Sequence, residues 1–89
     1  MSRGVGALAP MFASLGEPIS YVESALASSF LAVAADEIVW RCQIEDGEVV
    51  LLRSHLLLRV RTCHGWPLGI DVWMPSDALA QILRNALWV

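Results

Sequence analysis

Lysine is absent from this 89-residue chain, and its side-chain cationic charge rests on six arginines. Against nine acidic residues they leave a formal net charge of −3 and an isoelectric point near 5.1. Binding a phosphate backbone needs a surplus of cations, so nucleic acid is not expected as the main partner. The missing lysine itself marks GC-rich coding rather than a mechanism. Long hydrophobic runs are missing too. The longest charge-free stretches are Gly4–Gly16, interrupted by Pro10 and glycines, and the twelve residues Ser24–Ala35. A bilayer crossing takes about 20 apolar residues, so no membrane span is expected. Ser24–Ala35 has something of a signal-peptide core, but Glu17 and Glu23 stand where a positive region belongs.

Cysteine is scarce, with only Cys42 and Cys63. Two cysteines make no disulfide framework, and they read as buried free thiols of a reducing cytoplasm. Cys63-His64 is one adjacent pair, with Cys42 and His55 distant from it. Structural zinc sites bring paired ligands at short spacing, so no metal or other cofactor is expected.

What the chain has in excess is apolar surface. Hydrophobic residues make up 56%, the mean hydropathy is +0.56, and there are four tryptophans. A domain this small buries only about 60–65% of the surface that its unfolded chain exposes. The apolar residues outnumber the interior places for them, and contiguous exposed apolar area marks a partner's footprint.

The length fits one domain over 1–89, with 1–9 as a flexible arm. Pro10 suits the first position of a helical turn running to Leu15, and Gly16 suits its end. Glu17-Pro18 resets the chain. Ser20-Tyr21-Val22-Glu23 has the form of a capping box, a hydroxyl at N-cap with a carboxylate three residues on. Behind it Val22, Leu26, Phe30 and Val33 recur at helical spacing, which predicts a helix over Tyr21–Ala35 with those residues facing the core. Its other face is rich in serine and alanine, as suits a helix covered on both sides.

Ile38–Thr62 reads as a hairpin about a type I′ turn at Asp46-Gly47. This register sets Ile44 opposite Val49 and Cys42 opposite Leu51, with Ile38 and Trp40 on the same apolar face. The alternation then changes phase between Leu51 and Leu56, which needs a bulge or sharp bend near 52–54. Covering of both faces of the second strand is the alternative, and it also explains Leu57. His64-Gly65-Trp66-Pro67 is a turn by composition. Leu68–Met74 alternates as a third strand, with Ile70, Val72 and Met74 on one side and Asp71 and Trp73 on the other. Pro75 ends it, and Ser76-Asp77 caps a last helix over 77–87. The expected fold is α+β: a three-stranded antiparallel meander flanked by an N-terminal and a C-terminal helix.

No catalytic constellation stands out. Cys63 and His64 are neighbours that a strand would point apart, and no glycine-rich phosphate loop or GxSxG motif occurs. The chain is read as non-enzymatic. The candidate interface residues are Arg53, His55, Arg59 and Arg61, together with Trp66, Trp73 and Trp88. The arginine row would place three guanidiniums on one strand face within roughly 27 Å, at about 3.4 Å per residue. Such a strip suits carboxylates or phosphates, or simply keeps a sheet face solvated. Tryptophan is enriched at binding hot spots, whereas Trp40 belongs to the core face. The order αβββα resembles double-stranded-RNA-binding domains. Those require basic residues at the last helix start and in a strand loop, where this chain has Ser76-Asp77 and Asp46-Gly47.

Met11-Phe12-Ala13-Ser14-Leu15-Gly16-Glu17-Pro18-Ile19-Ser20-Tyr21-Val22 resembles the opening of bacteriophage head–tail joining (stopper) proteins. There a short helix ends at a Leu-Gly-Glu-like step and a strand of Pro-Val-Thr-Tyr type follows. Ile82-Leu83-Arg84-Asn85-Ala86-Leu87 would be their last strand. The match covers about twelve residues well. It implies a small β barrel in place of the meander, and a ring-forming subunit between capsid portal and tail, present in the virion. The residues themselves give the broader expectation of a protein–protein interaction module, a homo-oligomer that buries apolar surface against copies of itself. The alternative is a small acidic inhibitor or antitoxin-like protein that blocks a basic site on another macromolecule.

Overall fold

The computed structural model describes residues 12–74. The expected arm over 1–9, Pro10, the helix over 77–87 and Trp88 lie outside the described residues. In place of the three-stranded meander there is a five-stranded, wholly antiparallel sheet. Its strands are β1 (Ser20–Glu23), β2 (Ile38–Ile44), β3 (Gly47–Leu52), β4 (Leu57–Cys63) and β5 (Trp66–Trp73), in spatial order β1-β5-β4-β3-β2. Helix α1 (Ser24–Ala34) and a 3₁₀ turn (Ala35–Glu37) carry the chain from the β1 edge to the β2 edge. The sheet is open, so it is not the small barrel either.

Two local signals were overridden. The capping-box sequence Ser20–Glu23 forms a strand, because its backbone groups pair with Gly69–Val72 of β5. Ile19 extends the contact, donating its N–H to the Val72 carbonyl at 2.7 Å. A long-range ladder here satisfies groups that a helix would have left for a side-chain cap, and α1 begins three residues later than the capping box predicts. No side-chain cap hydrogen bond is made at its Glu23 N-cap.

The second correction concerns residues 48–62, read as one bent strand. They are two strands joined by a tight turn. The His55 N–H donates to the Leu52 carbonyl at 2.8 Å, and the Leu52 N–H donates to the Leu56 carbonyl at 2.9 Å. His55 takes a φ of 70° there, a conformation that bulky side chains enter uncommonly. With no glycine, proline, asparagine or aspartate at 52–56, Ser54 is the one residue there with turn chemistry.

The first hairpin is offset from its expected register. Ile44 pairs with Gly47 and Cys42 with Val49, so Glu45-Asp46 is the loop. A shift of two residues preserves side-chain parity, and Trp40, Cys42, Ile44, Val49 and Leu51 still share a face. Gly47 is required by close approach, since a Cβ there would collide with the Val60 carbonyl of β4. The type I′ geometry falls instead at His64 (φ 52°) and Gly65 (φ 83°), between β4 and β5.

Both faces of the sheet centre are covered. On one face, Val50, Leu52, Leu58, Val60, Ile70 and Val72 pack beneath Ala27, Phe30, Leu31 and Ala34 of α1. The helix is thus turned from its expected orientation. Leu26 and Val33 point to water, and the small Ala27 and Ala34 let the helix axis lie close to the sheet. On the other face, Val49, Leu57 and Trp73 pack with Phe12, which arrives on the helical turn over 12–15.

Candidate interaction site

The face opposite α1 holds the most concentrated polar chemistry of the described residues. Alternation along β4 puts Leu57, Arg59 and Arg61 on that face. Across the strand boundary Leu57 stands opposite Trp73, Arg59 opposite Asp71 and Arg61 opposite Gly69. A hairpin closed at His64-Gly65 would by itself pair Cys63 with Trp66 and so set Arg59 against Ile70. A register shift between Arg61 and Thr62, beside Pro67 of β5, moves the ladder by one residue and brings Asp71 opposite Arg59. Bulges re-aim side chains in this way, and proline, which has no N–H to give the ladder, tolerates one.

Asp71 is the sole buried charged residue of those described. Its Oδ2 accepts from Nε (3.0 Å) and Nη2 (2.9 Å) of Arg59, and from Nε (3.0 Å) and Nη2 (2.8 Å) of Arg61. The aspartate side chain is 4% exposed, Arg59 30% and Arg61 49%. Aromatic rings wall the group. The Arg59 guanidinium lies 4.9 Å from the Phe12 ring centroid and 5.2 Å from that of Trp73, within cation–π range. Phe12 and Trp73 contact one another at 5.2 Å between centroids. Arg61 is 6.0 Å from the Tyr21 ring. Tyr21 lies over Gly69, where any Cβ would meet the phenol, and its hydroxyl donates to the Leu68 carbonyl at 3.3 Å.

The candidate interface residues therefore separate. Arg59 and Arg61 come together as expected, but as partners of Asp71 rather than as a free strip. Arg53 and His55 leave the row, because both sit in the β3–β4 turn and not on a strand. The Arg53 N–H donates to the Glu37 carbonyl at 2.6 Å, tying that turn to the 3₁₀ segment. Trp73 is buried and donates its Nε1–H to the Gly16 carbonyl at 3.2 Å, which fastens the 12–15 turn to the sheet. Trp66 is exposed (72%). Cys63 is exposed and Cys42 half-buried, correcting the reading of two buried thiols.

Asp71 was missed as a site residue. Its parity with Trp73 was legible, but its partner on β4 depends on the one-residue shift, signalled by Pro67 and by the need to bring Ile70 and Val72 onto the face of Leu58 and Val60. Glu48, beside the acidic Glu45-Asp46 turn, is engaged by Arg41 at 2.7 Å. That leaves Glu45 and Asp46 as the exposed carboxylates of the turn itself. Among the described residues no group of three or more His, Cys, Asp or Glu is placed to hold a metal ion. No helix there is long and apolar enough to cross a membrane.

In class, the described part of the chain is a small open antiparallel sheet with a helix on one face and a half-buried arginine–aspartate cluster on the other. No protein-family model, curated protein or solved structure matches it.

Proposed function

We propose that the chain is a non-enzymatic protein–protein interaction module that assembles with copies of itself. The observation that carries this reading is the outward face of α1. The helix contains no charged residue, and it presents Leu26 at 60% and Val33 at 84% exposure, one helical heptad apart. Surface helices ordinarily place charge on the face turned from the core. An outer face built of Leu26, Ser29, Ala32 and Val33 offers apolar area and little side-chain bulk, which lets a second helix come close.

The sheet edges support the same reading. Among the described residues β1 and β2 each have a ladder partner on one side only. They run parallel to one another at opposite edges, since each is separated from the other by four antiparallel pairings. Joining the β1 edge of one copy to the β2 edge of the next would be a head-to-tail contact, the kind that closes into rings. The most specific form of the proposal is a ring-forming subunit of a phage head–tail joint. The resemblance over residues 11–22 suggests it, and the turn over 12–15 followed by a strand at Ser20–Glu23 is the local order that the resemblance implies.

Sedimentation velocity at tens of micromolar tests the reading. The expected result is a species heavier than the 9.7 kDa chain, reduced to monomer by the paired substitution Leu26→Glu and Val33→Glu. A clean monomer of the unaltered chain would overturn it.

A further inference from the structure

We infer that Arg61, backed by Arg59, forms a receptor site for a carboxylate monoanion. Donors and acceptors in the cluster do not balance. One oxygen, Asp71 Oδ2, receives all four guanidinium N–H bonds. A carboxylate oxygen offers about two lone-pair sites, so those donors are shared and each is under-served. Nη1 of each arginine has no partner at all among the described residues. The charges do not balance either, because two guanidiniums against one carboxylate leave a surplus of one positive charge. That surplus sits within a chain whose overall charge is −3.

The geometry chooses the ligand. Arg59 is held between Phe12 and Trp73, whereas Arg61 is half exposed and fronts Tyr21, itself half exposed. A guanidinium fork matches a planar carboxylate, and a monoanion would neutralise the cluster. A phosphate dianion would overcharge it and stand beside the Asp71 carboxylate. The rings add an apolar wall, which favours a carboxylate carried on a hydrocarbon stem. Two sources share this chemistry, a free organic acid and an acidic side chain of another protein.

The test uses the intact chain, and because the site lies on the sheet face opposite α1, its outcome is separate from self-association through that helix. Arginine Nε–H resonances are followed by NMR during titration with acetate, with a blocked tripeptide bearing one glutamate, and with sodium chloride to the same ionic strength. The expected result is a saturable shift at Arg61 and Arg59 with acetate or the peptide that chloride does not reproduce. Stronger saturation by the peptide assigns the site to a protein side chain, and stronger saturation by acetate assigns it to a free acid. Arg61→Gln, which leaves Asp71 paired with Arg59, should keep the fold by circular dichroism and lose the Arg59 shift. Arg61→Lys keeps the charge without the fork and should weaken saturation at least tenfold. Shifts that never saturate, or that chloride matches, would overturn the inference. So would an Arg59 response unchanged in Arg61→Gln.

Discussion

Replacing Asp71 by asparagine probes the cluster with almost no change of shape. The substitution keeps an oxygen near the Oδ2 position and removes the charge that holds Arg59 and Arg61 together. Breaking a fully buried ion pair costs about 3–5 kcal/mol, chiefly because a charge is left behind in a poor solvent. Here the stranded groups are arginines that retain some water, Arg61 far more than Arg59, so surface-like screening trims the cost. The expected loss is about 2–3 kcal/mol. In a domain of this size each kcal/mol moves the melting midpoint by roughly 4–8 °C, so Asp71→Asn should lower it by roughly 10–20 °C. Thermal unfolding followed by far-UV circular dichroism measures this. The cause can be isolated by salt and by a second substitution. Repulsion between two guanidiniums is screened by salt, so the deficit should narrow as sodium chloride rises towards 1 M. Adding Arg61→Gln to Asp71→Asn should recover about 1 kcal/mol, since one stranded charge is gone. A midpoint within 2 °C of the parent would refute the reasoning, as would a deficit indifferent to both salt and the second substitution.

Glycine positions separate collision from conformation. Gly47→Ala drives a Cβ into the Val60 carbonyl and should cost about 3 kcal/mol or more by urea titration. Gly65→Ala has open space around the new methyl and pays only for its φ of 83°, about 1–2 kcal/mol. Trp73→Phe keeps the ring stack with Phe12 but drops the bond to the Gly16 carbonyl. It should cost about 1–2 kcal/mol and expose the 12–15 turn to faster amide exchange. Leu26→Glu and Val33→Glu, both facing water in the single subunit, should leave monomer stability within about 0.5 kcal/mol while abolishing assembly. Sedimentation and urea titration of the same samples distinguish that outcome from simple unfolding.

The self-association proposed for the chain and the carboxylate site draw on opposite faces of the sheet. The first rests on an uncharged helix surface and the second on surplus guanidinium charge. A single subunit could therefore engage a like copy through α1 while holding an acidic group near Arg61. Neither would hinder the other.

Alternation within strands was readable from the chain alone. The pairing of Ile70 with Val72, the opposition of Asp71 and Trp73 to them, and the shared face of Trp40, Cys42 and Ile44 follow from a period of two. The helical turn ending at Gly16 was readable for the same kind of reason, because its φ of 75° is a local demand that glycine meets. Strand number was decided elsewhere. Ser20–Glu23 has the residues of a helix start, and it is extended because β5 offers a ladder to pair with. That ladder is some fifty residues away and leaves no mark in the local pattern. Leu52–Leu56 turns with only Ser54 to favour it locally, because the strands on either side are buried on both faces and must pair with each other. The meeting of Arg59 and Arg61 with Asp71 belongs to the tertiary structure as well. A period of two puts Arg59, Arg61 and Asp71 on the face away from Leu58, Val60, Ile70 and Val72, but it cannot say which of them stand opposite one another, since a slip of two residues leaves every side chain on the same side.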